Sequence, residues 1–572
     1  MLKVRARVVL LVAAIALIGA QAAPGAVPGW VRAKLREAQA AVSVSRACEP
    51  GAEVSLVLPK GQAARLDCSH LGCGATEMLV WPTERAMDLY CVWDDGRVSK
   101  NSRPWAEAGT VWIPRPVIVL RLNWEAREDA VTLRVVAETA EDKIREAQEE
   151  HLRRREERRR NANVITIDER LLGFVRLWSA IKYNFAFFDQ VPGLDWDGVL
   201  EEYLPRVREE QTTEQYYLVL QECTARLRDG HTSVICPTAL RDVDMPPLLV
   251  RPVEGKAVVV GVGKAEEVLR AGLEAGLEIT HVDGRSVGEV LDESMYPYIS
   301  ASTQQGRDRA AYCRLLEGPQ GSKVTIRLRG LDGSMREVSL VRESDLSAMP
   351  WLPSRRPVVE YRDLSDGIAY VALNSFESED VVSEFDAVFD KLRQARGMVI
   401  DVRENAGGST GNAARIIGRL TDKPLPLSAW RTRDHLPAFR AWGMTEAWYQ
   451  AAHDFVRPRG ERPFLGPVVV LTGAGTVSAA EDFLIPLHAS GRATLVGERT
   501  AGTTGQPLYI ELPKGLRARI CTKWDTYPDG REFVGVGVIP DVEVHPTQED
   551  IAAGRDAVLE KGHEVLRARL QD

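Results

Sequence analysis

The chain lacks most of the features that would assign it at a glance. Beyond residue 20 it has no apolar run approaching the roughly 20 residues needed to span a bilayer, so no integral membrane span is expected in its body. It has no excess of positive charge. Lys and Arg total 73 against 81 Asp and Glu, a formal net charge of -8, which removes the electrostatic basis for a nucleic-acid partner. No Cys-x-x-Cys and no Cys/His spacing of a zinc site occurs, so no metal is expected. Nor is the chain poor in apolar residues: 45% hydrophobic and 27% charged is the composition of folded globular protein rather than of a disordered segment.

At 572 residues the chain is too long for a single core, and about three or four domains are expected. Lys3, Arg5 and Arg7 precede the apolar residues 8–20, and Ala20-Gln21-Ala22 supplies a small-x-small cleavage pattern. The run is shorter than a membrane span, so residues 1–22 read as a signal peptide cleaved near Ala22, and the mature chain is expected in a periplasm or secreted. Eight cysteines in an exported chain should mostly pair. Cys48, Cys68, Cys73 and Cys91 suggest two bridges. Cys223 and Cys236 flank His231 and either staple its loop or stay free and buried with Cys313 and Cys521.

Short β-rich runs separated by Gly, Pro and Asp turns mark residues 23–135 as a β-rich N-terminal domain. Residues 136–163 contain a dense charge run in which Glu149 and Arg153, Glu150 and Arg154, and Glu156 and Arg160 are spaced i,i+4. That pattern predicts a solvated helical linker. Leu171, Phe174, Val175, Trp178 and Ile181 then fall on one helical face, and a second helical stretch covers about 214–228, giving a helical subdomain over residues 164–240. It ends in Arg228-Asp229-Gly230-His231-Thr232, where the glycine suggests a tight turn presenting the imidazole. Residues 241–345 are β-rich, and Ala271-Gly272-Leu273-Glu274-Ala275-Gly276-Leu277 followed by Ile279-Thr280-His281-Val282-Asp283-Gly284-Arg285 resembles a PDZ domain.

Residues 346–572 alternate strands and helices. Residues 367–373 and 397–403 read as strands, 380–393 as a helix, and 467–471 as a further strand. After the second strand comes Glu404-Asn405-Ala406-Gly407-Gly408-Ser409, a glycine turn before a helix starting near Gly411. Its backbone N–H groups can face a ligand, as an oxyanion hole requires, or simply make an αL turn. After the strand at 467–471, Ser478-Ala479-Ala480-Glu481 puts a serine at a strand-to-helix junction. An N-cap with Glu481 completing a capping box is one reading of that serine. The other is a nucleophile at a positive helix terminus, with Ala479 N–H placed to stabilise an oxyanion. The Gly-x-Ser-x-Gly elbow is absent here, which excludes an α/β-hydrolase at this serine.

Residues 168–234, 400–409 and 467–566, in collinear order, resemble the S41 peptidases, the C-terminal processing and tricorn-core family. The resemblance also rests on Val496-Gly497-Glu498-Arg499-Thr500-Ala501-Gly502 and on Gly535-Val536-Gly537-Val538-Ile539-Pro540-Asp541. It implies a multidomain α/β chain with a ClpP/crotonase-like spiral ββα catalytic core, and it puts the nucleophile at Ser478. C-terminal processing peptidases carry a lysine where this chain has Thr503, so a Ser-Lys dyad is not expected. The tricorn-like branch uses a histidine, and Asp229-Gly230-His231-Thr232 matches its pattern, which makes His231 the general base. That branch orients its histidine with a serine and a glutamate at positions held here by Gly230 and Val534. Glu532, two residues earlier on the same face of a strand, is the substitute expected, and Asp229 is read as the cap of its turn.

Catalysis implied by the resemblance is acyl transfer to Ser478 with His231 moving the proton, and with Ala479 N–H and Gly407 or Gly408 N–H holding the oxyanion. No metal or organic cofactor is expected. The implied partner is a peptide or unfolded protein captured by the PDZ-like module, and the chain can form oligomers. The aromatic residues of 430–449 are read either as a cover for the cleft or as a packed surface helix. The rival reading is a non-catalytic peptide- or ligand-binding protein on the same scaffold.

Overall fold

The computed structural model describes residues 163–571 except 238–239, 242, 344–348, 350–355, 445–446 and 453. Before them it describes 38–40, 42–47, 53–59, 62–67, 75–82, 86–93, 98–104, 109–113, 118–126 and 130–138. The signal peptide read at residues 1–22, the side chains of Cys48, Cys68, Cys73 and Cys91, and the charge run of the linker all lie outside the described residues. Two compact units divide after residue 160. In the first, strands Val42–Ala47, Ala63–Asp67, Ala75–Pro82, Ala86–Trp93 and Val98–Pro104 form one sheet in that order. Glu53–Pro59, Ala130–Glu138, Ile118–Ala126 and Gly109–Ile113 form a second.

The second unit begins with three helices, Ile167–Asn184, Trp196–Arg208 and Thr213–Ala225. The first is closed by a capping box between Thr166 and Glu169. It buries Gly173, Phe174, Leu177 and Ile181. Val175 is turned outward instead, 45% exposed, because the inward stripe follows Phe174 and Leu177 and leaves the 175 position on the shoulder. The middle helix was not anticipated from sequence. Its interior Pro205 and the charged residues around it obscure the periodicity that would have marked it. Residues 248–341 then build a sheet in the order Leu248–Val253, Lys256–Val262, Glu278–Val282, Lys323–Arg329, Met335–Val341. The helix Gln304–Cys313 belongs to this module, Ala311 and Tyr312 lying in its apolar cluster.

The remaining residues centre on a six-stranded sheet. Val359–Asp363 pairs antiparallel with Ile368–Leu373; Gly397–Asp401, Val468–Thr472, Thr494–Gly497 and Val542–Glu543 follow in parallel. Its inner strands are continuous apolar runs because both faces are covered. Ala369, Val371, Ile400, Val470 and Leu495 share one cluster with Phe385, Ile416 and Phe483, carried by helices Asp380–Leu392, Thr410–Ile417 and Ala479–Ala489. The alternate residues Ile368, Tyr370, Val399, Val469, Leu471 and Val496 pack with Val558 and Leu566 of Ala557–Arg569 on the other face.

Residues 429–450 are a hairpin of Ala429–Asp434 and Ala447–Gln450, not the single helix that was one of the two readings. A five-residue helix, Pro437–Ala441, lies between the strands, and Trp442 is 69% exposed. Among the described residues Cys223, Cys236, Cys313 and Cys521 are all unpaired, so no disulfide staples the loop of His231. Burial raises the Cys223 thiol to about 12, the behaviour of a small apolar side chain rather than of a reactive one.

Candidate active site

The site forms at the carboxyl ends of two adjacent parallel strands, where loops leave an α/β sheet and its helices begin. Gly397–Asp401 and Val468–Thr472 pair directly, so the loops that follow them run side by side. Val402 N–H donates to Leu471 O (3.1 Å), Val477 N–H to Asn405 O (3.0 Å), and Thr476 Oγ1 to Val402 O (2.8 Å). This stitching holds Ser478 at the head of Ala479–Ala489 in a backbone conformation of φ 59°, ψ -126°. A non-glycine residue there is strained and persists only when its surroundings over-determine it.

Those surroundings are Glu481 and Thr503. Ser478 N–H donates to Thr503 O (2.8 Å) and to Glu481 Oε2 (3.2 Å). Glu481 is fully buried and also accepts from Gly502 N–H (2.8 Å), Thr503 N–H (2.8 Å) and Thr500 Oγ1. Burial nevertheless pushes its carboxyl up to about 7, against the opposing pull of these donors. Glu481 thus reaches back as a capping-box residue would, but its own N–H goes to the Ser478 main-chain carbonyl (2.7 Å). The Ser478 Oγ faces His231 instead, with His231 Nε2 at 3.2 Å.

His231 is delivered by the turn that follows the helix Thr213–Ala225. Its neighbours are pinned from several sides: Thr232 Oγ1 donates to Asp229 Oδ2 (2.6 Å) and accepts from Cys521 N–H (3.0 Å), while Arg519 Nη2 donates to Gly230 O (2.7 Å). Asp229 therefore caps its own turn. Burial raises its carboxyl above the ordinary range, opposed by Thr232 and the other donors around it. Burial pushes the imidazole of His231 down to about 3, with the Arg519 cation adding to the effect, so the ring is neutral at ordinary pH. Its Nδ1 is buried without a hydrogen-bond partner among the described residues.

Glu532 does not take the orienting place expected for it. Its Oε2 accepts from Trp524 Nε1 (2.8 Å), and its backbone bridges Thr526. Same-face placement two residues from Val534 fails because residues 533–537 turn rather than extend: Gly535 and Gly537 both have positive φ, and Val536 and Gly537 N–H both return to Phe533 O. Val534 itself is buried. Gly230 has a local explanation. A Cβ there would lie 2.8 Å from both Cγ2 and Oγ1 of Thr503, so the threonine standing at the lysine position occupies the space that a side chain at 230 would need.

The glycine loop lies against the serine. A Cβ on Gly407 (φ 98°) would sit 2.7 Å from Ser478 Cβ and 3.0 Å from Ala479 N, so only glycine permits this approach. Gly407 N–H is already given to Asn405 Oδ1 (2.8 Å). The bridge to the neighbouring strand-end uses Phe376 N–H to Gly407 O and Ser409 N–H to Phe376 O, both 2.9 Å, which leaves Gly408 N–H outside that ladder. Ala479 N–H, at the first helical position, has no intrahelical acceptor. Sequence reasoning did not find Asn405, Glu481 or Ser302, whose Oγ accepts from Gly230 N–H (3.1 Å), beside the serine and the histidine. Asn405 and Glu481 carried a weak signal as polar residues beside the glycine turn and the serine; Ser302 carried none.

Known proteins are similar to this chain over much of its second unit. Residues 367–544 match the model of peptidase family S41, and residues 168–225 match that of the tricorn protease C1 domain. The chain is 25% identical over 407 residues to carboxyl-terminal-processing peptidase 3, chloroplastic, of Arabidopsis thaliana, covering 67% of this chain and 70% of that one. It is 24% identical over 294 residues to carboxy-terminal processing protease CtpA of Bacillus subtilis, covering 51% of this chain and 53% of that one. Among solved structures, mature CPAF complexed with lactacystin has a similar fold, with a TM-score of 0.57 and 17% identity over 71% of this chain and 98% of that chain. These matches support serine-type peptidase activity. The chain is thus similar to peptidase family S41 over residues 367–544 and to the tricorn protease C1 domain over residues 168–225.

Proposed function

We propose that this chain is an exported serine peptidase that hydrolyses peptide bonds through a Ser478 acyl-enzyme, with His231 as general base. The observation that carries this reading is the 3.2 Å approach of His231 Nε2 to Ser478 Oγ at a serine held with positive φ. Oγ attacks the scissile carbonyl carbon as its proton passes to Nε2, the C–N bond breaks, and the imidazolium returns that proton to the leaving amine. Water then repeats the sequence on the ester and releases the acid. Ala479 N–H and Gly408 N–H are the donors assigned to the oxyanion, since Gly407 N–H is bonded to Asn405.

The substrate class is a peptide or an unfolded protein. Among the described residues the sheet of 248–341 ends at Leu248–Val253 and Met335–Val341, and as a PDZ-like module over 241–345 it would take an extended segment by strand addition. Export rests on the basic and apolar residues of 1–22. Among the described residues no helix is long and apolar enough to cross a membrane. The second reading, a non-catalytic binding protein, is favoured by the unpartnered Nδ1 of His231. A fluorophosphonate probe decides between them. Labelling of Ser478 that is lost in Ser478→Ala and falls at least about 10³-fold in His231→Ala is expected of the peptidase; an unlabelled wild-type chain establishes the binding protein.

A further inference from the structure

The segment that follows the Tyr296–Tyr298 turn and opens the helix Gln304–Cys313 enters the site from the 248–341 module. Thr303 Oγ1 donates to Ala501 O (2.8 Å), and Gln305 Nε2 donates to Thr500 O (2.9 Å) and Val536 O (3.2 Å). Arg309 pairs with Glu404 at the start of the glycine loop. Ser302 goes furthest in. Its Oγ donates to Asp229 Oδ1 (3.2 Å), accepts from Gly230 N–H (3.1 Å) and accepts from Thr503 Oγ1 (2.9 Å). A hydroxyl has one proton and two lone pairs, so every capacity of this one is engaged, and all three partners belong to the site. Asp229 and Gly230 set the turn immediately before His231. Thr503 O in turn accepts the Ser478 N–H.

Resting on the Ser478 and His231 reading above, we propose that Ser302 is the positioning residue that holds His231 against Ser478. It acts through the backbone of the histidine turn, where no acid among the described residues touches Nδ1. The base and the nucleophile are joined through it by two short links: Gly230 to Ser302 to Thr503, and Thr503 to Ser478. Because Ser302 belongs to the peptide-capturing module rather than to the sheet, it also ties the register of the base to the seating of that module.

The test compares the full chain with Ser302→Ala, Ser302→Thr and Thr503→Val, following fluorophosphonate labelling of Ser478 across pH. In labelling, an Oγ–P bond forms, the P–F bond breaks, and the serine proton leaves through His231. Ser302→Ala is expected to lower the maximal labelling rate about 10²-fold with the probe's half-saturating concentration unchanged, the size of effect that a 1 Å misplacement produces. Ser302→Thr, which keeps the hydroxyl, is expected to recover most of that loss. Thr503→Val should lose rate as well, and the double variant should be no slower than Ser302→Ala, because both remove one connection. Wild-type labelling in Ser302→Ala overturns the proposal, as do single losses that multiply in the double variant. If Ser302→Ala does not fold, Thr503→Val carries the same test: a loss supports the link and wild-type labelling overturns it. If the wild-type chain itself does not label, the peptidase reading falls. The positioning role is then judged by the crystal structures of the wild-type and Thr503→Val chains, where an unchanged Nε2 to Oγ separation overturns it and a lengthened one supports it.

Discussion

His231 is neutral for a reason with measurable consequences. Burial, with the nearby Arg519 cation, lowers its pKa to about 3, against an ordinary value near 6.5. Between those values the folded chain binds fewer protons than the unfolded one, so this group makes stability rise with pH through that window, and the folded base is already unprotonated within it. The acid limb of Ser478 labelling is therefore expected well below pH 6.5; a limb centred at the ordinary histidine value would show that the ring is not enclosed. Glu532, spent on Trp524, is not among the groups that face the ring. Glu532→Gln is expected to leave the pH dependence of labelling unchanged, while any shift in the acid limb would return Glu532 to the site. At this scale the junction that carries Ser478 and the turn that carries His231 were legible in sequence because each stands in a short motif. The lack of an acid on Nδ1 among the described residues was not, because placing Glu532 and position 534 on one face requires extended backbone, and the chain turns there at glycines 535 and 537.

Secondary elements bring together Gly230 and Thr503, the positions at which the resemblance would lead one to expect a serine in one branch and a lysine in the other. The turn before Ser233–Ile235 and the loop after Thr494–Gly497 press together so closely that a Cβ at 230 meets the Thr503 side chain at 2.8 Å. Gly230→Ser is therefore expected to cost about 1–3 kcal/mol by overpacking. Adding Thr503→Ala, which removes both clashing atoms, should return part of it, with a coupling of about 0.5–3 kcal/mol. Denaturant unfolding of the four chains measures this, and strict additivity would mean that the contact is not tight. Of the elements around these loops, the helical stretch over about 214–228 was readable from apolar periodicity. The loop-to-loop contact was not, since residues 230 and 503 are 273 positions apart in sequence and carry no pattern in common.

Across the second unit, the buried residues of the described apolar clusters run from Ile165 to Leu566, and every hydrogen bond named for the site lies within it. A chain of residues 161–572 is accordingly expected to unfold cooperatively and to label at Ser478 at the full-length rate. A molten or unreactive fragment would show that the first unit is needed to complete the core. The sequence by itself determined the alternation of strands and helices, the serine at a helix start and the histidine in a turn, because these are local patterns of burial and backbone freedom. Only the tertiary structure decided which groups meet: Oγ turned from its helix to His231, Gly407 N–H taken by Asn405, and Ser302 brought in from another module. Hydrogen bonds between distant residues depend on where the packed core places each loop, and no stretch of sequence records that.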